Sequence, residues 1–240
     1  MTRDIGAALT PAMEDYAKTI YKLQQAGEDR VSTNGLAMEM GVAPSSVTSM
    51  MKSLARVGMV EHTRYHGVRL TIAGERVALE VIRHHRLLER YLQEFLGFGW
   101  DEVHDEADRL EHAISERLEE RLAELLGNPQ TDPHGEPIPT RDGAVAVQSL
   151  VPLDAMGTGA RGIIGRVASS DPEKLRYLRA NGLVPGAAFT VLDVAPFGGP
   201  IHIRVGEMER TLGPTLAADL LVSTLGQECA TSITTKEPHA

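Results

Sequence analysis

A single cysteine, Cys229, stands among the 240 residues, so the chain cannot form an internal disulfide and a reducing compartment is expected. No stretch approaches the roughly 20 consecutive apolar residues that a bilayer-spanning helix requires. The opening residues, Met1–Leu9, lack the apolar core of a secretory signal. A cytoplasmic protein with no membrane partner is therefore expected. The chain also lacks a basic surplus: its formal charge is −9, which argues against a surface built throughout for nucleic acid.

The charge is unevenly placed. Segment 30–72 carries Arg30, Lys52, Arg56, Arg64 and Arg69 against only Glu39 and Glu61. Segment 76–126 has seven basic and thirteen acidic residues, a balance of −6. A mildly basic module for a polyanion followed by an acidic, His-bearing module for cations fits this distribution. The length holds two or three small domains.

The first of these reads as a winged helix-turn-helix over 1–72. Thr10-Pro11 with Glu14 opens a helix that keeps its spacing through Tyr16, Ile20 and Leu23 to Gly27. Ser32/Thr33 caps a short helix that stops at Gly41, and Ala43-Pro44-Ser45-Ser46 opens another that runs to about Val57. After Gly58 the pattern alternates, Met59–Thr63 and Val68–Ile72 around Tyr65-His66-Gly67, as a hairpin does. Helix, tight turn, helix, hairpin is the order of a DNA-binding winged helix. Ser45, Ser46, Thr48, Ser49 and Lys52 would then face the major groove, with Arg64, His66 and Arg69 on the wing near the backbone. Serine and threonine read sequence weakly, so phosphate contacts and DNA shape would carry much of the specificity.

Residues 73–126 read as two long helices, 73–95 and about 101–126, joined by a short link at Gly97–Trp100. In VHDEADRLEH (103–112), His104, Asp108, Glu111 and His112 fall within roughly a 100° arc of one helix face. Val103, Ala107, Leu110, Ile114 and Leu118 form an apolar stripe beside them. Acidic and imidazole groups at a core margin are costly unless a cation joins them. Imidazole with carboxylate suits Mn, Fe, Zn or Co. RHHRLLE (83–89) places His85 and Glu89 at i and i+4 on the preceding helix, and antiparallel packing would bring both sets together. The pair carries more apolar residues than it can hide, among them Val77, Leu79, Val81, Leu87, Leu92, Phe95, Leu96, Leu118 and Leu122, which points to a homodimer. A dimer also sets two recognition helices about 34 Å apart on a palindromic operator in double-stranded DNA.

Gly127–Gly143, dense in Pro and Gly, reads as an exposed linker spanning about 127–144, with His134 incidental. Beyond it, 145–225 reads as a small SH3-like β-barrel with strands at Ala146–Leu150, Gly162–Val167, Phe189–Val194, Ile201–Val205 and Leu220–Val222 and one helix, Pro172–Ala180. The tail 226–240 is polar and is expected to be disordered. Gly157–Gly162 spells G-x-G-x-x-G, but a strand-like run (Ile163, Ile164, Val167) follows where a dinucleotide site needs a helix. The predicted fold class is thus mainly α with a C-terminal β domain.

Three motifs, MEDYAKTIYKL (13–23), HRLLERYL (85–92) and VHDEADRLEH (103–112), together with the domain order over about 10–225, make the chain resemble the iron- and manganese-dependent repressors related to the diphtheria toxin repressor and the manganese transport regulators. The resemblance implies a metal-dependent transcriptional regulator, not an enzyme, with no small-molecule substrate. It implies a regulatory metal site of Asp15, Asp108, Glu111 and His112, and an ancillary site of His85, Glu89 and His104. Where the iron-sensing branch has Met and Cys, this chain has Asp15 and Asp108; carboxylates favour harder ions, so Mn(II) leads as cofactor and Fe(II) follows. Two positions depart from the family. Lys18 stands where the manganese regulators have a second N-terminal carboxylate, and Arg166 and Ser169 stand where the iron branch has ligands in the SH3-like domain; Asp171 or Glu173 are the nearest substitutes. The mechanism this implies is a lock: without metal, Asp108 and Glu111 repel Asp15; with it, the N-terminal helix is fixed to the dimerisation helices and operator binding at metal-uptake genes is enabled. Two other classes stay open at this point: a winged-helix regulator answering to a non-metal ligand or partner, and a metallohydrolase, for which no H-E-x-x-H motif is present.

Overall fold

Thr10 starts helix α1, Pro11–Gln25, by accepting the Met13 amide on its hydroxyl, with proline in the first turn where no amide bond is lost. The computed structural model describes residues 9–63 and 66–224. They divide into two units, Met1–Gln148 and Ser149–Ala240. Arg64 and the tail 226–240 lie outside the described residues.

In the first unit, α2 (Thr33–Met40) is capped by Ser32 and ends on Gly41 at φ 64°, and α3 (Pro44–Arg56) follows at once. Strands β1 (Val60–Thr63) and β2 (Gly67–Leu70) pair antiparallel, Val60 opposite Leu70. Val31 adds a bridge to Val68, so the wing gains a third short edge that alternation alone did not reveal. Gly67 is required there: its φ is +82°, and a Cβ would lie 2.2 Å from the Val31 carbonyl oxygen. Tyr16, Ala17 and Ile20 of α1 share one core with Leu36, Val47, Met51, Leu54, Val60 and Val68.

Helix α4 (Ile72–Leu96) is capped by Thr71 and stopped by Gly97 at φ 72°. The long second helix expected over 101–126 is instead two, α5 (Val103–Leu110) and α6 (Glu116–Leu125). Ser115 makes the break, its hydroxyl accepting the Leu118 amide as the cap of α6. Leu88, Leu92, Val103, Ala107 and Leu122 form the core between these helices.

The Pro/Gly-rich stretch is not an exposed linker. Asp132–Gly135 and Pro137–Pro139 are buried, and Ile138 packs with Leu87 and Ala123. Arg83 and Arg86 donate to the carbonyls of Pro139 and Pro137 at 2.7 and 2.5 Å, and the Trp100 indole donates to that of Pro133 at 3.0 Å. These bonds satisfy irregular backbone that could not otherwise leave water. The segment also covers apolar surface of α4 and α6. Ile72 at the start of α4 stays exposed, as do Phe95, Leu96, Leu118 and Leu125.

The second unit is a six-stranded sheet in the order β3-β8-β4-β5-β6-β7, antiparallel at each pairing. Its strands are β3 (Val151–Pro152), β4 (Arg161–Val167), β5 (Ala188–Val194), β6 (Ile201–Val205), β7 (Met208–Leu212) and β8 (Leu220–Thr224). Helices α7 (Pro172–Ala180) and α8 (Pro214–Ala218) connect them. Ala146–Leu150 is not a strand; pairing begins one residue later. Gly162 lies inside β4, where a Cβ would meet the Ser223 carbonyl at 2.1 Å, so its glycine serves strand pairing and not a nucleotide. Asp171 caps α7, accepting the Glu173 and Lys174 amides. No described helix is long and apolar enough to cross a membrane.

Candidate metal centre and nucleic-acid face

Helix α1 packs along α4, and α4 along α5, so a face of each meets at one junction. α1 contributes Glu14, Asp15 and Lys18, which its 3.6-residue period places on neighbouring faces. α4 contributes His85 and Glu89 one turn apart, and α5 contributes His104 and Asp108. Glu111 and His112 come from the turn opened by the break before Ser115.

Among the described residues three groups of donors result, each with its atoms within 4.8 Å of one another: Asp15, Glu111 and His112; His85, His104 and Asp108; Glu89, Asp132 and His134. In the first, Asp15 Oδ1 is 2.8 Å from His112 Nε2, and Glu111 Oε1 is 3.5 Å from that nitrogen. The other ring nitrogen, Nδ1, lies 2.6 Å from Glu14 Oε2. Glu14 therefore accepts the Nδ1 proton and turns Nε2 toward Asp15, the arrangement by which carboxylates orient metal-binding histidines. Beside the second group, Glu89 Oε1 lies 2.9 Å from His85 Nε2 and 3.1 Å from His104 Nδ1, and those two nitrogens are 2.9 Å apart. Adjacent ligands on an octahedral ion with bonds of about 2.1 Å sit about 3.0 Å apart, so these three atoms fit one ion. In the third, Glu89, Asp132 and His134 are all buried, and Glu89 Oε2 has no hydrogen-bond partner although it is shielded from water. An orphaned carboxylate oxygen aimed among buried donors is the kind of group a cation satisfies.

The grouping differs from the expected one in two ways. Asp108 groups with His85 and His104, and Glu89, which contacts both of those histidines, groups with Asp132 and His134. Asp132 and His134 were missed because their stretch reads as linker. His134 is not incidental: it stacks on Trp100 at 5.1 Å, and its Nε2 lies 3.0 Å from the Trp100 carbonyl.

Asp108 and Glu111 are not bare, as the repulsion picture supposed. Lys18 Nζ donates to Asp108 Oδ1 at 2.9 Å and to both Glu111 oxygens at 2.8 Å. His85 Nδ1 lies 2.6 Å from Glu111 Oε2. Burial disfavours a charged His85, yet its bonds to Asp108, Glu111 and Glu89 outweigh that and push its pKa up to about 10. Burial works against charge on Asp108, Glu111 and Glu89 too, but the His and Lys partners hold all three below the usual carboxylate range. Burial and then the Glu89 charge raise Asp132 to about 7. Burial opposes a proton on His112, but Glu14 and Asp15 raise its pKa.

On α3, Val47, Met51 and Leu54 face the core, leaving Ser45, Ser46, Ser49 and Lys52 on the exposed side. Thr48 is half-buried and spends its hydroxyl proton on the Pro44 carbonyl at 2.9 Å, so it reaches outward least of the five. Arg69 is exposed on the wing and pairs with Asp29 at 3.5 Å; His66 is exposed beside it. Arg64 is not among the described residues.

Three family descriptions match the chain in succession: the N-terminal DNA binding domain of iron dependent repressors over residues 8–68, their metal binding and dimerisation domain over 71–140, and the FeoA domain over 151–224. The chain is 32% identical over 221 residues to the iron-dependent repressor IdeR of Mycobacterium leprae, covering 87% of this chain and 95% of that protein. It is 32% identical over 173 residues to the diphtheria toxin repressor of Corynebacterium diphtheriae, covering 72% and 74%. Among solved structures, a manganese-dependent transcriptional repressor in complex with manganese superposes with a TM-score of 0.81 at 40% identity, covering 89% of this chain and all of that one. The repressor ScaR with bound Cd2+ gives 0.73 at 31%, covering 89% and 99%.

Proposed function

The chain belongs to the family of iron- and manganese-dependent repressors, and from that premise we propose that it is a homodimeric, divalent-metal-responsive regulator of transcription whose effector is Mn(II), with Fe(II) as the second choice. Its DNA module is the winged helix that ends near residue 72, and residues 73–140 carry metal binding and dimerisation. Phe95, Leu96, Leu118 and Leu125 are the exposed apolar side chains available to the dimer contact.

One observation carries the reading: Asp15 of α1 meets His112 at 2.8 Å, joining side chains 97 residues apart. α1 shares its core with α3, so whatever holds Asp15 against Glu111 and His112 also sets the recognition helix relative to α4 and α5. A bound dication would supply charge that neutralises carboxylates from separate helices at once. Glu14 holds His112 in the tautomer that presents Nε2, and Asp15 and Glu111 offer oxygens to the same point. His85, Glu89 and His104 form the ancillary set, extended by Asp132 and His134. Oxygen ligands at Asp15 and Asp108, with no sulfur, favour manganese over softer ions.

Ser45, Ser46, Ser49 and Lys52, with Arg69 on the wing and Thr48 in support, are the residues we assign to DNA, together with Arg64 from the sequence between β1 and β2, on promoters of metal-uptake genes. The test is a mobility-shift titration on such promoters with Mn(II), Fe(II) and chelator. Operator binding that appears with Mn(II) and is lost on chelation supports the reading; binding indifferent to metal overturns it.

A further inference from the structure

Lys18 is 8% exposed and sits at the centre of the junction. Its ammonium has three protons to give, and the oxygens that take them are Asp108 Oδ1 at 2.9 Å and the two Glu111 oxygens at 2.8 Å. Its fourth neighbour is His85 Nδ1 at 3.4 Å. Two carboxylates and an imidazole converging on one point form a donor set for a hard dication. Here a monovalent cation, fixed to the backbone of α1, stands at that point. It does so beside the separate group of Asp15, Glu111 and His112, which shares Glu111 with it.

We propose that the Lys18 ammonium is a built-in cation of this centre, occupying the point between Asp108, Glu111 and His85 Nδ1, so that the junction of α1 with α5 takes a single divalent ion, at Asp15, Glu111 and His112. The proposal rests on the metal-responsive reading above and adds the number of ions and the residue that sets it. Three consequences follow from charge and geometry. An ion at Asp15 and Glu111 feels the positive charge of Lys18 close by and is weakened by it. Lys18 already compensates part of the charge on Asp108 and Glu111 before any ion arrives, which ties the two helices loosely and raises the metal concentration needed to complete the tie. Exchanging the ammonium for a carboxylate turns the occupied point into a vacant ligand set.

The experiment compares full-length wild type with Lys18→Gln and Lys18→Glu. Bound Mn(II) per subunit is counted by elemental analysis, and affinity is measured by calorimetry with MnCl2. Circular dichroism and elution volume report on fold and dimer. Lys18→Glu is expected to bind one more Mn(II) per subunit than wild type, and Lys18→Gln to bind its tightest ion at least tenfold more strongly. Lys18→Glu at the wild-type count overturns the proposal, as does Lys18→Gln at unchanged or weaker affinity, which would make Lys18 a scaffold contact only. Should Lys18→Glu not fold, the sign of the Lys18→Gln effect still decides. Wild type that binds no Mn(II) at all would instead remove the metal reading on which this one stands.

Discussion

His85 offers its two ring nitrogens to different partners: Nε2 to Glu89 and His104 at 2.9 Å, Nδ1 to Glu111 at 2.6 Å. With its pKa near 10, the ring carries both protons at neutral pH. An ion bound through Nε2 must displace one of them. The folded pKa lies above the ordinary histidine value of about 6.5, so the stability this group contributes is fully present below that pH and is lost as pH rises through 10. Metal affinity runs the other way, gaining roughly tenfold per pH unit for each proton released. The rise in melting temperature on adding Mn(II) is therefore expected to grow between pH 6 and 8.5, and calorimetry in buffers of different ionisation heat should find a proton released; a pH-independent stabilisation would contradict the assignment of His85 as a ligand. Glu14 permits a second test at this scale. It acts on metal only through His112 Nδ1, so Glu14→Ala should weaken Mn(II) binding about 10- to 100-fold, the usual range for losing such a partner, with the fold intact. Calorimetry on the folded variant checks it, and unchanged affinity would remove Glu14 from the centre.

Among the elements, those closed by local chemistry were legible in advance. Thr10, Ser32 and Gly41 mark the ends of α1 and α2 within a residue or so, because caps and left-handed glycines are sequence-local. The break between α5 and α6 was not legible: Ser115 fits a helix interior as well as a cap, and the stretch has neither proline nor glycine to decide it. That break carries Glu111 and His112 out of the α5 arc, which is why one helix face did not describe the site. The segment 127–144 misled for another reason. Proline and glycine report the absence of regular structure, whereas burial depends on whether partners such as Arg83, Arg86 and Trp100 satisfy the irregular backbone. Partners on distant elements leave no local trace, so Asp132 and His134 went unseen. The wing gives a prediction here. Gly67→Ala forces a left-handed alanine into the Val31 carbonyl, a clash and a strained backbone together worth about 2 kcal/mol or more. Operator affinity should fall while Mn(II) binding at the α4–α5 donors persists; a melting curve and a mobility shift separate the two effects, and an unaffected operator affinity would place the wing away from DNA.

At the scale of the whole molecule, the proposed metal centre and the proposed DNA face are different places connected by α1. Tyr16, Ala17 and Ile20 bury one side of that helix in the core that also holds Val47, Met51 and Leu54 of α3, while Asp15 and Lys18 on the same helix reach Glu111, His112 and Asp108. A shift of α1 against α5 is thus a shift of the recognition helix, and in a dimer it changes the distance between two such helices on successive major grooves. Metal and operator then favour the same arrangement, and linkage makes their coupling reciprocal: the factor by which Mn(II) tightens operator binding equals the factor by which operator tightens Mn(II). Coupling of this kind is worth about 1–3 kcal/mol, or roughly 5- to 150-fold. Calorimetric titration of MnCl2 into the dimer, with and without operator duplex, is expected to return the same factor as the mobility shift with and without Mn(II). Asp15→Ala should bring both factors to about one while the protein still elutes as a dimer and still binds Mn(II) at His85, Glu89 and His104. If Asp15→Ala keeps a metal-dependent mobility shift of wild-type size, α1 is not the connection, and the metal must reach the recognition helices through the dimer contact alone.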